Sequence, residues 1–118
     1  MKIAIHELKE TNSNNEKLVL KVLEDCNTAG YMIIDTTYDG DGHPSNIFRH
    51  CYIFPKKEVK RGDYIWLFTG KGNNTSYANK GRTITHEFYW GSDESIWNNE
   101  TDIAYLLHYD DWESKKFE

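Results

Sequence analysis

The stretch "RGDYIWLFTG", residues 61–70, decides how the chain is interpreted. It is typical of a β-strand, because aromatic and β-branched side chains pack well on a pleated surface. Successive side chains of a strand point to opposite faces, and here both faces are apolar. One face carries Ile65 and Leu67, and the other carries Tyr64, Trp66 and Phe68. The sequence therefore poses the question of which face forms the core and what covers the other.

The rest of the chain predicts an all-β fold. Helical periodicity is nearly absent, and short apolar segments alternate with turn-forming stretches. The predicted strands lie in "KIAIHEL", "KLVLKVLEDC", "YMIID", "IFRHCYIF", "YIWLFTG", "TITHEFYWG" and "IAYLLHY". The segment "NEKLVLKVLEDC" is also compatible with a short helix, but the alternation of Leu18, Leu20 and Val22 favours a strand. We expect a β-sandwich or barrel in one domain, residues 1–118, with the tail 109–118 left open.

Charge and hydropathy restrict the classes of function. Fourteen basic and nineteen acidic residues give a net charge of −5, which repels a phosphate backbone and disfavours general nucleic-acid binding. No segment has the length and apolarity of a membrane span or of a signal peptide, so we expect no membrane insertion and a cytoplasmic location. Cys26 and Cys51 lack metal-ligand spacing, which leaves free thiols or a single bridge as the alternatives.

Motifs for catalysis and for metal binding are weak. Five scattered histidines show no metal-binding spacing. The loop "DTTYDGDGHPSN" offers oxygen ligands from Asp35, Asp39 and Asp41, but His43 and the missing glutamate depart from a calcium loop, and a plain turn is the preferred interpretation. The sequence therefore predicts no catalytic residues, no metal and no cofactor.

Several pieces of sequence follow one another in a recognisable order. They are "NEKLVLKV", "GYMIID", "YIFP", "RGDYIWLFTGKG", "HEFYWG" and "IWNNETDIAYL", which extend over about residues 3–108. This order resembles the lamin tail domain family, especially its prokaryotic members. The matching positions are Glu16, Gly30, Tyr31, Asp35, Phe54, Pro55, Gly62, Thr69, Gly70, Tyr89, Trp90, Gly91, Trp97, Asn98, Asn99, Asp102, Ala104 and Leu106. Tyr31 stands where the family usually has Trp, and Thr101 where it usually has Gly.

The resemblance implies an immunoglobulin-like antiparallel β-sandwich that serves as an interaction module without catalytic machinery. It also assigns the inward positions, with Trp90 and Trp97 filling one end of the sandwich. The inward side chains are then Leu18, Leu20, Tyr31, Ile33, Tyr52, Phe54, Ile65, Leu67, Phe88, Ala104 and Leu106.

The outward positions are unusually apolar. They are Met32, Ile34, Cys51, Ile53, Tyr64, Trp66, Phe68, Ile103, Tyr105 and Leu107. Because monomers seldom expose large apolar patches, we predict that a protein partner or a second copy covers an outer face. The candidate partner face consists of Tyr64, Trp66, Phe68, Ile53, Ile34, Tyr105 and Leu107. In the intramolecular alternative, the N-terminal segment or the tail with Trp112 and Phe117 folds over that face.

Two other classes of function stay open. Tyr64, Trp66, Tyr89 and Tyr105 are candidates for a platform that stacks sugar rings or unpaired bases. An unrecognised enzyme is the third alternative, and it requires clustered titratable groups, such as His86, Glu87 and His108 brought together by strand pairing.

Overall fold

The computed structural model describes residues 1–37, 49–97 and 102–117, and all regular elements within these ranges are strands. The strands are β1 (Ile3–Lys9), β2 (Lys17–Val22), β3 (Cys26–Asn27), β4 (Tyr31–Thr37), β5 (His50–Ile53), β6 (Glu58–Val59), β7 (Tyr64–Phe68), β8 (Thr75–Ala78), β9 (Ile84–Tyr89) and β10 (Asp102–His108). The predicted all-β fold is confirmed, and the segment that was also compatible with a helix forms β2.

The described strands form two main sheets and one short pair. The five-stranded sheet has the order β1-β2-β7-β9-β8, the three-stranded sheet has the order β10-β4-β5, and β3 pairs with β6. The paired strands are antiparallel except for β7 and β9, which are parallel, so the larger sheet is mixed. The parallel pair arises because β8 reverses the chain after β7 and then pairs with β9 on the far side.

One apolar core joins the two main sheets. Eight of the eleven predicted inward side chains are buried in it, and the other three, Tyr52, Ala104 and Leu106, are partly buried and pack against it. In β7, Ile65 is 0% exposed and Leu67 is 1% exposed. Burying a side chain of this kind contributes about 1.5–3 kcal/mol. The face of β7 that carries Ile65 and Leu67 is therefore the core face.

Two tryptophans that follow β9 in the sequence also pack in this core. Trp97 is buried, and the Trp90 ring packs against it with the ring centroids 6.2 Å apart and the planes at 70°. Edge-to-face contacts of this kind favour one relative orientation of the two rings. Trp90 and Trp97 therefore extend the core beyond the strands.

Two strands, β6 and β8, lie in segments that were interpreted as turns, and β3 joins the last residue of a predicted strand segment to the turn that follows it. The four residues of β8 are all exposed, so this edge strand carries no apolar alternation that a sequence pattern would detect. The strands β3 and β6 have two residues each, which is too short for any periodicity. Cys26 in β3 and Cys51 in β5 are both free thiols.

Asp35, a member of the candidate cation loop, lies in β4 and is fully buried. Its carboxylate accepts a hydrogen bond from the backbone N–H of His50 at 2.6 Å and one from Arg49 Nη2 at 3.2 Å. Its oxygens are thus engaged within the protein. Positions that lie outside the described residues are Asp39, Asp41 and His43 of that loop, and Asn98, Asn99 and Thr101 of the family pattern.

Glu16 is a buried carboxylate that connects three parts of the chain, and it is 1% exposed. Its Oε1 accepts hydrogen bonds from the Thr69 hydroxyl at 2.7 Å and from the backbone N–H groups of Ile96 and Trp97 at 2.9 and 3.1 Å. Its Oε2 accepts a hydrogen bond from the backbone N–H of Asn12 at 2.7 Å. One side chain therefore fastens the β1–β2 turn, the end of β7 and the segment after β9.

Replacing Glu16 by Gln tests this role. The amide group offers one acceptor oxygen where the carboxylate offers two, so at least one of the four N–H and O–H donors loses its partner. We expect the free energy of unfolding to fall by about 1–3 kcal/mol, measured by urea denaturation. The exposed Glu113→Gln control should change it by less than about 0.5 kcal/mol, and an equal effect of the two substitutions would contradict the assignment.

Candidate functional site

The structure divides the seven candidate partner-face residues between two surfaces. Tyr64, Trp66 and Phe68 lie on the outer face of the five-stranded sheet, because they alternate with the core residues of β7. The other four lie on the outer face of the three-stranded sheet: Ile34, Ile53, Tyr105 and Leu107. The outer faces of two stacked sheets point in opposite directions, so the seven residues do not form one surface.

The aromatic row of β7 is covered by lysines of the neighbouring strand β2. The Lys17 Nζ lies 5.3 Å from the ring centroid of Trp66 and 5.1 Å from that of Phe68. The Lys21 Nζ lies 5.9 Å from the ring centroid of Tyr64. A lysine combines an apolar stem with a cation that is attracted to the ring face. We call this surface, Lys17, Lys21, Tyr64, Trp66 and Phe68, the lysine-covered face.

On its side next to β9, the lysine-covered face borders on a further aromatic contact. The rings of Phe68 and Tyr89 stack with centroids 4.9 Å apart. Glu87 accepts hydrogen bonds from the hydroxyls of Tyr77 at 2.7 Å and Tyr89 at 2.9 Å. Burial, followed by the hydrogen bond to Glu87 and its charge, raises the pKa of Tyr77 to about 12. The polar groups here are thus paired within the chain.

The three-stranded sheet has an outer face of a different kind. An apolar groove of about 470 Å³ lies there, lined by residues that include Met32, Ile53, Phe54, Leu107, Tyr109 and Trp112. Ile53 is 61% exposed, Leu107 is 38% exposed and Trp112 is 68% exposed. Large apolar side chains exposed together around a concave surface are typical of a binding site. This apolar groove is the candidate functional site.

The tail forms one wall of the apolar groove. The backbone N–H of Tyr109 donates a hydrogen bond to the Gly30 carbonyl oxygen at 2.8 Å, and the Tyr109 ring meets the Trp112 ring edge to face at 5.3 Å. Gly30 has a φ of +93°, and a Cβ there would approach the Tyr109 carbonyl oxygen to 2.9 Å. Gly30 therefore allows the close approach that fixes the start of the tail. Trp112 lies beside the three-stranded sheet, so it does not cover the β7 side chains Tyr64, Trp66 and Phe68 on the opposite sheet. The lysines of β2 cover those rings.

The candidate residues on this sheet differ in accessibility. Ile53 and Leu107 are exposed at the apolar groove, Tyr105 is partly buried, and Ile34 is only 6% exposed although it lies on the outer face. Neither Tyr109 nor Phe54 was predicted to belong to a binding surface. The two aromatic residues of "HYDDW" could have indicated that the tail contributes to one. The position of the tail depends on the hydrogen bond from Tyr109 to Gly30, which is a tertiary contact that the sequence does not reveal.

Three polar side chains are hydrogen-bonded in series on the inner face of the larger sheet, beside its edge strand β8. The carboxylate of Asp63 lies 2.9 Å from His86 Nε2, and His86 Nδ1 lies 2.8 Å from the Ser76 Oγ. Asp63 and His86 are buried, whereas Ser76 is exposed. The other two members of the predicted cluster do not join it, because Glu87 faces outward from β9 and His108 stacks on Tyr31 at 4.4 Å.

Asp63 also accepts hydrogen bonds from backbone groups. The N–H of Lys60 donates to its Oδ2 at 2.9 Å, and the N–H of Ile84 donates to its Oδ1 at 3.0 Å. Burial alone raises the pKa of Asp63, but the hydrogen bonds from His86, Lys60 and Ile84 outweigh it, and the pKa is lowered. The carboxylate is therefore held in its charged form.

No family model matches the chain, and no curated protein matches it significantly. Among the described residues, no three or more His, Cys, Asp or Glu side chains are grouped to hold a metal ion. The described parts of the chain also contain no helix with the length and apolarity needed to cross a bilayer.

Replacing Lys17 by Ala tests the lysine cover. The variant loses two cation–π contacts and the packing of the lysine stem, so we expect the free energy of unfolding to fall by about 1–2 kcal/mol. The matched control is Lys115→Ala, because the Lys115 Nζ lies 5.5 Å from the centroid of the Phe117 ring in the exposed tail. The control should change stability by less than about 0.5 kcal/mol. Indistinguishable urea-denaturation curves for the two variants would contradict the cover.

The lowered pKa of Asp63 predicts loss of stability in acid. A carboxyl group whose pKa is lower in the folded than in the unfolded chain stabilises the fold above the unfolded value and loses this contribution as the pH falls through the folded value. The ordinary value is 3.8, so the Asp63 contribution should begin to fall below about pH 4 and be lost once the pH is below the lowered pKa of the folded chain. We expect Asp63→Asn to be less stable at neutral pH but to lose less stability than the wild type on acidification. Parallel curves of unfolding free energy against pH would contradict this.

Proposed function

We propose that the protein is a non-catalytic interaction module of the lamin-tail type, an immunoglobulin-like sandwich that binds a partner protein through the apolar groove. The order of sequence pieces over about residues 3–108 supports the family and the finer fold. One observation carries the choice of surface: the outer aromatic row of β7 is covered by lysines, whereas Ile53 and Leu107 are left exposed beside Trp112.

The apolar groove suits a single large apolar side chain of a partner. Its volume of about 470 Å³ lies within the range of small-ligand pockets. Covering Ile53 and Leu107 contributes at most about 1.5–3 kcal/mol for each side chain, and exposed tryptophans are frequent hot spots of protein interfaces. The ordering of the partner offsets part of this gain, so the affinity depends on how well the anchor side chain fills the groove.

The charge around the groove determines which partner residues can flank the apolar anchor side chain. Asp111 lines the groove, its sequence neighbours Asp110 and Glu113 are exposed, and the whole chain has a net charge of −5. Complementary charge accelerates association and excludes wrong partners. We therefore assign the apolar groove to a partner segment in which a basic side chain lies beside an apolar anchor.

Stacking of sugar rings or bases is less well supported. Such stacking requires an accessible ring face. Lys17 lies over Trp66 and Phe68, and Lys21 lies over Tyr64. Tyr105, the fourth aromatic residue of that hypothesis, lies on the opposite sheet and does not extend the platform.

Replacing Ile53 by Glu tests the proposal. Peptides selected from a displayed random library against the wild-type protein should share a large apolar residue beside Lys or Arg. Ile53→Glu should weaken their binding at least about tenfold, because it places a charge at the groove. The matched control is Leu23→Glu, since Leu23 is 42% exposed and does not line the apolar groove. The control should keep the wild-type affinity, measured by fluorescence anisotropy.

Two results would contradict the proposal. The first is equal binding of the selected peptides by Ile53→Glu and by the wild type, which would place the binding surface elsewhere. The second is a concentration-dependent dimer in light scattering that Ile53→Glu abolishes, which would assign the groove to a second copy of the chain.

A further inference from the structure

An exposed hydroxyl lies beside a buried histidine at the open edge of the five-stranded sheet. Ser76 and His86 are directly opposite each other in the β8–β9 pair, and the Ser76 Oγ lies 2.8 Å from His86 Nδ1. β8 is the last strand of its sheet in the described part of the chain, and Ser76 is exposed. Ser76 is therefore the solvent-exposed residue of the pair, while His86 is 5% exposed.

Asp63 determines which nitrogen of the neutral His86 ring carries the proton. The hydrogen bonds to the Asp63 carboxylate lower its pKa, so it is ionised at neutral pH and accepts hydrogen bonds only. The Asp63 Oδ2 lies 2.9 Å from His86 Nε2, so Nε2 must be the donor. In a neutral imidazole the other nitrogen is then an acceptor. In this neutral form, His86 Nδ1 accepts a hydrogen bond from the Ser76 hydroxyl.

We propose that Ser76 is a base-activated nucleophile that takes an acyl group from an activated ester. The arrangement has the three roles of a nucleophile, a base and a group that orients the base. The two ring nitrogens are exchanged relative to the serine proteases, but either nitrogen of an imidazole can accept a proton. The roles are Ser76 as nucleophile, His86 as base and Asp63 as the positioning residue.

The reaction transfers the acyl group once. The Ser76 Oγ attacks the carbonyl carbon and its proton moves to His86 Nδ1; the bond from that carbon to the leaving oxygen then breaks, and the proton passes to the leaving group. The products are an ester on Ser76 and a free alcohol or phenol, with Asp63 ionised throughout. A single covalent modification is compatible with a non-catalytic binding module. It is also independent of the apolar groove, which lies on the other sheet.

Acylation of the full chain by p-nitrophenyl acetate tests the inference. Ser13 is an exposed internal control, because its hydroxyl donates to the Glu10 carbonyl oxygen at 2.6 Å and accepts from the Asn15 backbone N–H at 3.1 Å, neither of which is a general base. General-base assistance contributes roughly 10²–10⁴-fold, so peptide mapping should find Ser76 acetylated at least about a hundred times faster than Ser13. The Ser76→Ala variant should lose this fast phase. Equal rates at Ser76 and Ser13 would overturn the proposal.

The tautomer of His86 gives a second readout, which tests the direction of the hydrogen bond that activation of Ser76 requires. Heteronuclear NMR of the imidazole nitrogens in the wild-type protein should place the proton of the neutral ring on Nε2. A proton on Nδ1 would overturn the inference, because the ring would then donate to Ser76 and have no lone pair to activate it. This measurement needs no substitution, so loss of stability in a variant does not affect it.

Discussion

The burial of Ile65 and Leu67 is the constraint on which the rest of the structure depends. Both side chains are almost completely excluded from solvent between the two sheets. Because strand side chains alternate, this burial forces Tyr64, Trp66 and Phe68 onto the outer face. A protein of this size must then either cover that row or bind something with it. The neighbouring strand β2 supplies the cover.

The two sheets differ in how the apolar side chains on their outer faces are shielded from water. On the larger sheet, the outward positions Lys17, Val19 and Lys21 of β2 lie opposite the aromatic residues of β7 in the strand register. The lysine stems pack on the rings; Lys21 is exposed, whereas Lys17 is only 9% exposed and its Nζ donates to the Asn15 carbonyl oxygen at 3.3 Å. On the smaller sheet, Ile53 has no such cover among the described residues and is 61% exposed. This contrast, more than the total amount of apolar surface, distinguishes the candidate binding face.

Much of the fold was predictable from the sequence because the core obeys a local rule. The family pattern, whose inward positions follow period-two alternation, assigned Leu20, Ile33 and Ile65 to the interior, and all three are 0% exposed. The edge strand β8 was missed because an exposed strand has no apolar alternation. The division of the candidate residues between two faces was missed because it depends on which strands become neighbours. The contact between Ser76, His86 and Asp63 joins positions from three places in the sequence, so no local pattern encodes it.

Hydroxyl-radical footprinting of the tryptophans tests the contrast between the two faces most directly. Trp66 and Trp112 have the same intrinsic reactivity, so their oxidation rates compare exposure alone, and the buried Trp97 supplies the baseline. We expect rapid oxidation of Trp112 beside the apolar groove and a much slower rate for Trp66 beneath Lys17. Oxidation of Trp66 as fast as that of Trp112 would show that the lysine-covered face is open, and would contradict the assignment of binding to the smaller sheet.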